Sequence, residues 1–208
     1  DLCEIYTDVD GVYTADPRVV PDARKIEEIT YDEMLELASL GAKVLHNRSV
    51  ELAKKYKVNL VVSSSLNNHS GTYVKEEAKV ERMLISGVAS DDNVCRLAVS
   101  NIKDEPGKAY AIFSLLARNN INVDIILQSI GREDKKDISF TIEKKDKDEA
   151  IRLLQEHQTT IGFETIEAED NIAKVSIVGA GMAANAGVAS KMFEALYDAG
   201  VNINMIST

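Results

Sequence analysis

A stretch that begins at Gly107, GKAYAIFSLLARNNINVDII, returns 80 positions later as GVASKMFEALYDAGVNINMI, beginning at Gly187. A duplicated unit constrains a fold more than any single motif, because both copies must build the same piece of structure. Gly107/Gly187, Ala109/Ala189, Phe113/Phe193, Leu116/Leu196, Asn122/Asn202 and Ile126/Ile206 are identical, and Ile112/Met192, Ile121/Val201 and Val123/Ile203 are conservative pairs. Ala109, Ile112, Phe113 and Leu116 recur at the spacing of one helix face, as do Ala189, Met192, Phe193 and Leu196. Both sets read as core faces with no chemistry of their own. An apolar, β-branched stretch precedes each copy, at 95–99 and at 173–178.

Followed onward, the first copy predicts strand 94–102, helix 107–119, strand 121–129, strand 137–143, helix 147–157 and strand 162–168. That β-α-β-β-α-β order is the ferredoxin-like arrangement, an antiparallel sheet with its helices on one face. The second copy starts at 173, reaches a predicted strand at 201–207 and stops, which leaves half a sheet unpaired. The segment 82–89 (RMLISGVA) has strand character and is expected to complete it. The natural chain is expected to continue past Thr208. The start, Asp1-Leu2-Cys3-Glu4, carries neither a Met nor a basic signal region, so the chain is expected to begin inside a longer one.

Ahead of the repeat, 2–6 reads as a strand, followed by turn chemistry at Asp8-Val9-Asp10-Gly11. A loop holding Pro17 and Pro21 comes next. Thr30 with Glu33 forms a capping box, and Ile29 with Met34 a hydrophobic staple, so a helix starts there and stops at Gly41. A second helix over 46–57, a strand over 58–65 (VNLVVSSS) and a turn at 67–71 complete an α/β segment.

Composition narrows the function. Lys and Arg number 24 against 34 Asp and Glu, a net charge of −10, which argues against neutralising a nucleic-acid backbone. No stretch is long and apolar enough for a membrane helix. Cys3 and Cys95 lack metal-ligand spacing and read as reduced thiols of a cytoplasmic protein. No Ser/His/Asp triad, zinc spacing or P-loop is present, and His46, His69 and His157 read as packing or surface residues.

Val178-Gly179-Ala180-Gly181-Met182-Ala183-Ala184 imitates a dinucleotide-binding turn. No acidic residue closes the strand that follows, however, and the first copy lacks the glycines. A nicotinamide enzyme built on this turn is therefore disfavoured. The strand-to-helix loops Asp104-Glu105-Pro106-Gly107 and Ala186-Gly187 suit a small zwitterion better, because helix N-termini attract a carboxylate and Asp104 could meet an ammonium group. Asn122, Asp124 and Gln128 could add polar contacts, although Asp104 and Pro106 read equally as a plain turn. In the first third, Thr7, Asp8 and Asp10 with Gly11 form a polar, tight turn, and Tyr13, Arg18 and Lys43 are candidate ligand contacts.

Tyr6-Thr7-Asp8-Val9-Asp10-Gly11-Val12-Tyr13-Thr14-Ala15-Asp16-Pro17-Arg18 resembles the nucleotide-binding stretch of aspartate kinases. Leu35-Glu36-Leu37-Ala38-Ser39-Leu40-Gly41-Ala42-Lys43-Val44-Leu45-His46 is similar to the helix that follows in that family, and 85–208 resemble its paired regulatory ACT domains. The resemblance implies a fold class of α/β plus α+β: the C-terminal part of an amino-acid-kinase α/β domain, followed by tandem ferredoxin-like (βαββαβ) ACT domains. The implied bounds are 1–75 for the kinase part, 76–93 for a linker and a strand shared with the second ACT domain, 94–170 for the first ACT domain, and 171–208 for an incomplete second.

By the same resemblance the activity is ATP-dependent phosphorylation of the aspartate side-chain carboxylate, with Mg in the parent enzyme and no metal site in this segment. Thr7, Asp8, Tyr13, Arg18 and Lys43 would contact the nucleotide, Arg18 and Lys43 supplying positive charge to phosphates. Lysine or threonine would bind where ACT units meet, at Asp104, Gly107, Ala109, Asp124, Gln128, Asn202 and Ile203, and would inhibit a homo-oligomer joined through those domains. The family's Lys-Phe-Gly-Gly motif and its aspartate-binding residues are absent from this sequence, so the chain alone is expected to be inactive. A free-standing amino-acid sensor is the alternative reading.

Overall fold

The computed structural model describes residues 1–78, 85–129, 134–179, 185 and 187–207. The chain divides into two compact units, Asp1–Asp91 with Val175–Asn202, and Asp92–Lys174 with Ile203–Thr208.

The first unit opens with β1 (Leu2–Thr7), β2 (Glu28–Thr30), α1 (Tyr31–Ser39), α2 (Asn47–Tyr56), β3 (Asn59–Ser64), β4 (Thr72–Lys75) and β5 (Gly87–Asp91). Four of these strands form a sheet in the order β1-β3-β4-β2. β1 and β3 run parallel, which requires a crossover, and α1 and α2 supply it. β3 and β4 are antiparallel, and β4 pairs with β2 in parallel.

Helix α1 begins as the sequence predicts. Thr30 accepts from the Glu33 N–H while the Glu33 carboxylate reaches back to the Thr30 N–H. Ile29 and Met34, the two staple residues, are both buried in the core with Val12, Tyr31, Leu37, Val50, Val62 and Val74. The chain leaves α1 through Gly41, and α2 is capped by His46, whose ring nitrogen accepts from the Arg48 N–H. The strands β2 and β4 were not expected from the sequence. They have only three and four residues, too few for a period-2 pattern to emerge.

The second unit contains β6 (Val94–Lys103), α3 (Lys108–Arg118), β7 (Ile126–Gln128), β8 (Lys135–Glu143), α4 (Lys147–Glu156), the short α5 (Gln158–Ile161) and β9 (Thr165–Glu169). Its sheet runs β7-β8-β6-β9 with all pairs antiparallel, the ferredoxin-like arrangement expected. Cys95, Leu97 and Val99 of β6 and Ile138, Phe140 and Ile142 of β8 share one core with Ile112 and Leu116 of α3 and Ala150, Leu153 and Leu154 of α4. Phe113 meets Phe140 edge-on, with ring centroids 5.5 Å apart. Ala109 and Phe113 pack against this core, as their helical spacing requires. The expected strand 121–129 joins the ladder only at β7. Ahead of it, Asp124 N–H gives to Thr141 O and Thr141 N–H gives to Ile125 O, so two residues stand opposite one, as in a bulge.

The second repeat gives β10 (Lys174–Val178) and α6 (Val188–Asp198). Gly187 starts α6 with φ +94°, as Gly107 starts α3 with φ +92°. β10 pairs with β5, so the later part of the expected strand 82–89 does meet the second repeat, while 82–84 lie outside the described residues. Two expectations are corrected here. Residues 201–207 form no strand, and among the described residues no strand lies in a ladder with them. The expected core face of the second copy is not closed either: Ala189 is exposed, and Met192, Phe193 and Leu196 are half-buried. Where α3 lies over a four-stranded sheet, the second repeat has, among the described residues, the two-stranded β10-β5 ladder.

Candidate nucleotide and effector sites

Parallel strands β1 and β3 end side by side, with Thr7 opposite Ser64. The crevice outside the carboxyl ends of such strands is where open α/β sheets take ligands. The turn after β1 is clipped to the turn after β3. Ser65 gives its N–H and its hydroxyl to Thr7 O at 2.7 and 2.9 Å. Asn67 Nδ2 gives to Asp10 Oδ1 at 2.6 Å, and His69 Nδ1 lies 3.5 Å from Asp10 Oδ2. Within the turn, Thr7 Oγ1 accepts from the Val9 N–H at 3.1 Å.

From Gly11 the chain makes a hairpin-like excursion over 12–26. The Ile26 N–H gives to Val12 O at 2.8 Å, Tyr13 bridges Lys25, and the Thr14 N–H gives to Arg24 O at 2.9 Å. At the tip, Asp16 accepts the Arg18 backbone N–H at 2.9 Å and holds the Arg18 guanidinium through Nε at 3.0 Å and Nη2 at 2.7 Å.

The neck of the excursion is clasped by Thr72, the first residue of β4. Its fully buried hydroxyl accepts from the Val12 N–H at 2.8 Å and gives to Ile26 O at 2.5 Å. Gly11 makes this clasp possible: at φ +148°, an added Cβ would stand 2.5 Å from Thr72 Oγ1. A further tie comes from β5, whose Val88 N–H gives to Thr14 O at 2.8 Å.

The Arg18 guanidinium holds the Asp16 carboxyl below the ordinary carboxylate range, and Asp16, then Asp8, raises Arg18 in return. The Asn67 amide, then the His69 ring, lowers Asp10. Thr7, Asp8, Tyr13 and Arg18 therefore lie on one turn and its excursion, and among them Asp8 and Arg18 attract one another. Lys43 does not: it sits exposed between α1 and α2, and no ion pair joins it to that group among the described residues. With its side chain 85% exposed, Arg18 can meet an anion, although Asp16 already takes part of its charge. The sequence does not single out Thr72, and Asn67 and His69 read there only as turn and surface residues. The Gly71-Thr72 step after a turn was the available signal, but a lone threonine on so short a strand carries no pattern.

The effector candidates of the first repeat lie around the start of α3 and the edge of its sheet. Gly107 is exposed, and an added Cβ would meet nothing within 4 Å, so its positive φ, not crowding, asks for glycine. Both acidic candidates are engaged by lysines of the chain itself. Asp104 pairs with Lys136 at 2.6 Å, and Asp124 with Lys174 at 2.5 Å. An incoming ammonium group would compete with those lysines. Ala109 packs against the core, while Gln128 is exposed at the end of β7, in register with Ile138. Asn202 is exposed at the end of the first unit, and Ile203 is exposed where the second unit resumes. Of the glycine-rich stretch, 180–184 lie outside the described residues. Among the described residues no group of three or more His, Cys, Asp or Glu is placed to hold a metal, and no helix is long and apolar enough to cross a membrane.

Parallel strands with a polar turn at their carboxyl ends, joined in one chain to a ferredoxin-like unit and its partial duplicate, define a kinase-type α/β segment with ACT-type regulatory units. The amino acid kinase family pattern matches residues 1–64, and the ACT domain pattern matches 97–158 and 175–208. The aspartokinase of Helicobacter pylori (strain ATCC 700392 / 26695) is 52% identical over 212 residues, covering 100% of this chain and 52% of that protein. E. coli aspartokinase III, solved in complex with aspartate and ADP (R-state), is 30% identical with a TM-score of 0.81, covering 99% of this chain and 45% of that one. The ligand-free regulatory subunit of aspartate kinase from Thermus thermophilus is 37% identical with a TM-score of 0.56, covering 61% of this chain and 83% of that subunit. This chain belongs to the aspartate kinase family. It spans about half the length of the curated relatives it matches.

Proposed function

We propose that the whole protein is an aspartate kinase, transferring the γ-phosphoryl of ATP to the aspartate side-chain carboxylate to give 4-phospho-aspartate and ADP, the first step toward lysine, threonine and methionine. The observation that carries this reading is the clasped turn at the carboxyl ends of β1 and β3. Thr7, Asp8, Tyr13 and Arg18 lie on that turn and the excursion that follows it, which supports reading this end of the sheet as the nucleotide site. There Arg18 would meet phosphate oxygens and the half-buried Tyr13 would lie along the nucleotide, while Lys43 would have to supply its charge from the exposed connection between α1 and α2. Mg would accompany ATP, held by groups beyond this segment. Residues 1–75 would serve the kinase part, 76–93 the linker and shared strand, and 94–170 and 171–208 the two ACT domains.

Lysine or threonine would be the effector, its carboxylate drawn to the free N–H groups at the start of α3, beside Gly107 and Ala109. Its ammonium would compete for Asp104 or Asp124 with Lys136 or Lys174. Gln128, Asn202 and Ile203 would complete the contacts, and the ACT domains would hold a homo-oligomer in the cytoplasm. E. coli aspartokinase III has been solved with lysine and aspartate in a T-state, which supports an amino-acid effector here. The 208 residues alone would not turn over. A coupled ADP-release assay tests both parts: the whole protein should consume ATP only with aspartate and slow with lysine or threonine. Turnover by the isolated 208-residue chain would contradict the division of labour.

A free-standing regulatory chain is the second reading. It is favoured by the match to a separate regulatory subunit, of which this chain covers 83%. That match covers only 61% of this chain, whereas the amino acid kinase pattern spans residues 1–64, a stretch a pure sensor does not need.

A further inference from the structure

Strand β5 has two sets of partners within the first unit. On one side of its role it pairs with β10, the first strand of the second repeat, and the adjoining Ser86 gives its N–H to Val178 O at 2.7 Å. Val178 is itself buried in the core of that unit. The same short stretch also holds the nucleotide turn. Val88 N–H gives to Thr14 O at 2.8 Å, one residue from Tyr13 and four from Arg18. The buried Ser86 hydroxyl gives to Glu33 Oε1, while the other oxygen of that carboxylate closes the capping box on Thr30. Thr30 ends β2, and β2 pairs with β4, which carries the Thr72 clasp on Val12 and Ile26. Both routes from Ser86 and Val88 thus end on the neck of the excursion that presents Tyr13 and Arg18.

Resting on the reading of the excursion as the nucleotide site, we infer that Ser86 and Val88 are positioning residues for that site. They transmit the state of the second repeat to it through β5. A displacement of β10 along its ladder with β5 moves the Val88 N–H relative to Thr14 O and the Ser86 hydroxyl relative to Glu33. The neck then shifts as a unit, because Thr72 ties its two arms together. An effector whose binding moves β10 would therefore act on nucleotide affinity, the KM for ATP, more than on turnover at saturating ATP. Such coupling is by nature a difference in contacts between two states of one element, and it is measured as a factor between two affinities.

The test uses the whole protein with lysine and with threonine, reading KM for ATP, kcat, and effector binding by calorimetry. The unmodified protein should show KM for ATP rising about 5-fold or more with effector. Ser86→Ala should bind effector as before and keep kcat, while the rise in KM shrinks to about 2-fold or less. Ser86→Thr, which keeps the hydroxyl, should restore the larger rise, a rescue that a merely structural role does not require. Val88→Pro, which removes the N–H given to Thr14, should behave as Ser86→Ala does. Ser86→Ala with full turnover and an undiminished effector-dependent rise in KM overturns the coupling and leaves the functional reading standing. An unmodified protein with neither aspartate-dependent ATP turnover nor effector binding overturns the functional reading, and the coupling with it.

Discussion

The hydroxyl of Thr72 accepts from one arm of the excursion and gives to the other, and it is fully buried. Thr72→Val keeps the shape but strands the Val12 N–H and the Ile26 carbonyl. Two such buried groups left unsatisfied cost about 2–6 kcal/mol together. Urea unfolding of the protein should show that loss, with Thr72→Ser recovering most of it; an unchanged midpoint would remove Thr72 from the account. Acidic residues nearby respond to pH with a defined sign. The Asp16 and Asp10 carboxyls are held below their ordinary range, by Arg18 and by Asn67 respectively. A carboxyl depressed on folding adds stability above its unfolded pKa, and that stability is lost as pH falls through the lower folded value. Carbon-detected NMR titration should place both midpoints below ~3.9, the unperturbed value for Asp, and Arg18→Ala should raise the Asp16 midpoint without abolishing the shift, because the backbone N–H of residue 18 still gives to Asp16. Midpoints at or above that value would contradict the pairing. The two thiols should differ as well. Cys3 is exposed, whereas burial raises the Cys95 thiol. Iodoacetamide followed by mass spectrometry should label Cys3 in the native protein and Cys95 only after denaturation.

At the scale of elements, the two repeat helices start alike, each from a glycine with φ above +90°. Gly107 has open space around it, so Gly107→Ala should cost about 1–2 kcal/mol from backbone strain alone. Thermal unfolding would register that loss, and an increase in Tm would contradict the strain. The elements legible in the sequence were those that state both their ends and their buried face. The capping box at Thr30 and Glu33, the staple of Ile29 and Met34, and the stop at Gly41 fixed α1. The regular spacing of Ile112, Phe113 and Leu116 against the β-branched runs of β6 and β8 gave the ferredoxin-like unit. β2 and β4 were invisible because three or four residues cannot express a period. The excursion over 12–26 read as an ordinary loop because its ties are backbone hydrogen bonds and one threonine hydroxyl. The core face expected of α6 failed for a different reason: spacing tells which residues share a face, not whether a full sheet is there to cover it.

Across the whole molecule, the account proposes two sites in one chain, one at the duplicated βα unit and one at the clasped turn, and stands on their being energetically linked. Linkage is reciprocal: if an effector weakens nucleotide binding by a given factor, the nucleotide must weaken effector binding by the same factor. This requirement is stronger than inhibition, which a second ligand competing directly for the nucleotide turn could also produce. Of the candidate site, Thr7, Asp8, Asp10 and Gly11 read as a polar turn and Tyr13 and Arg18 as contacts proposed beside it. The pairing of Asp104 with Lys136 and of Asp124 with Lys174 was not legible, because ion pairs between residues far apart in sequence leave no local mark. The most direct measurement is isothermal titration calorimetry of the whole protein with lysine and with threonine, each with and without a non-hydrolysable ATP analogue, and the reverse titrations. The account predicts heat with at least one amino acid and an equal factor of change in both directions. No heat with either amino acid, or effector affinity indifferent to nucleotide while nucleotide still binds, would contradict it.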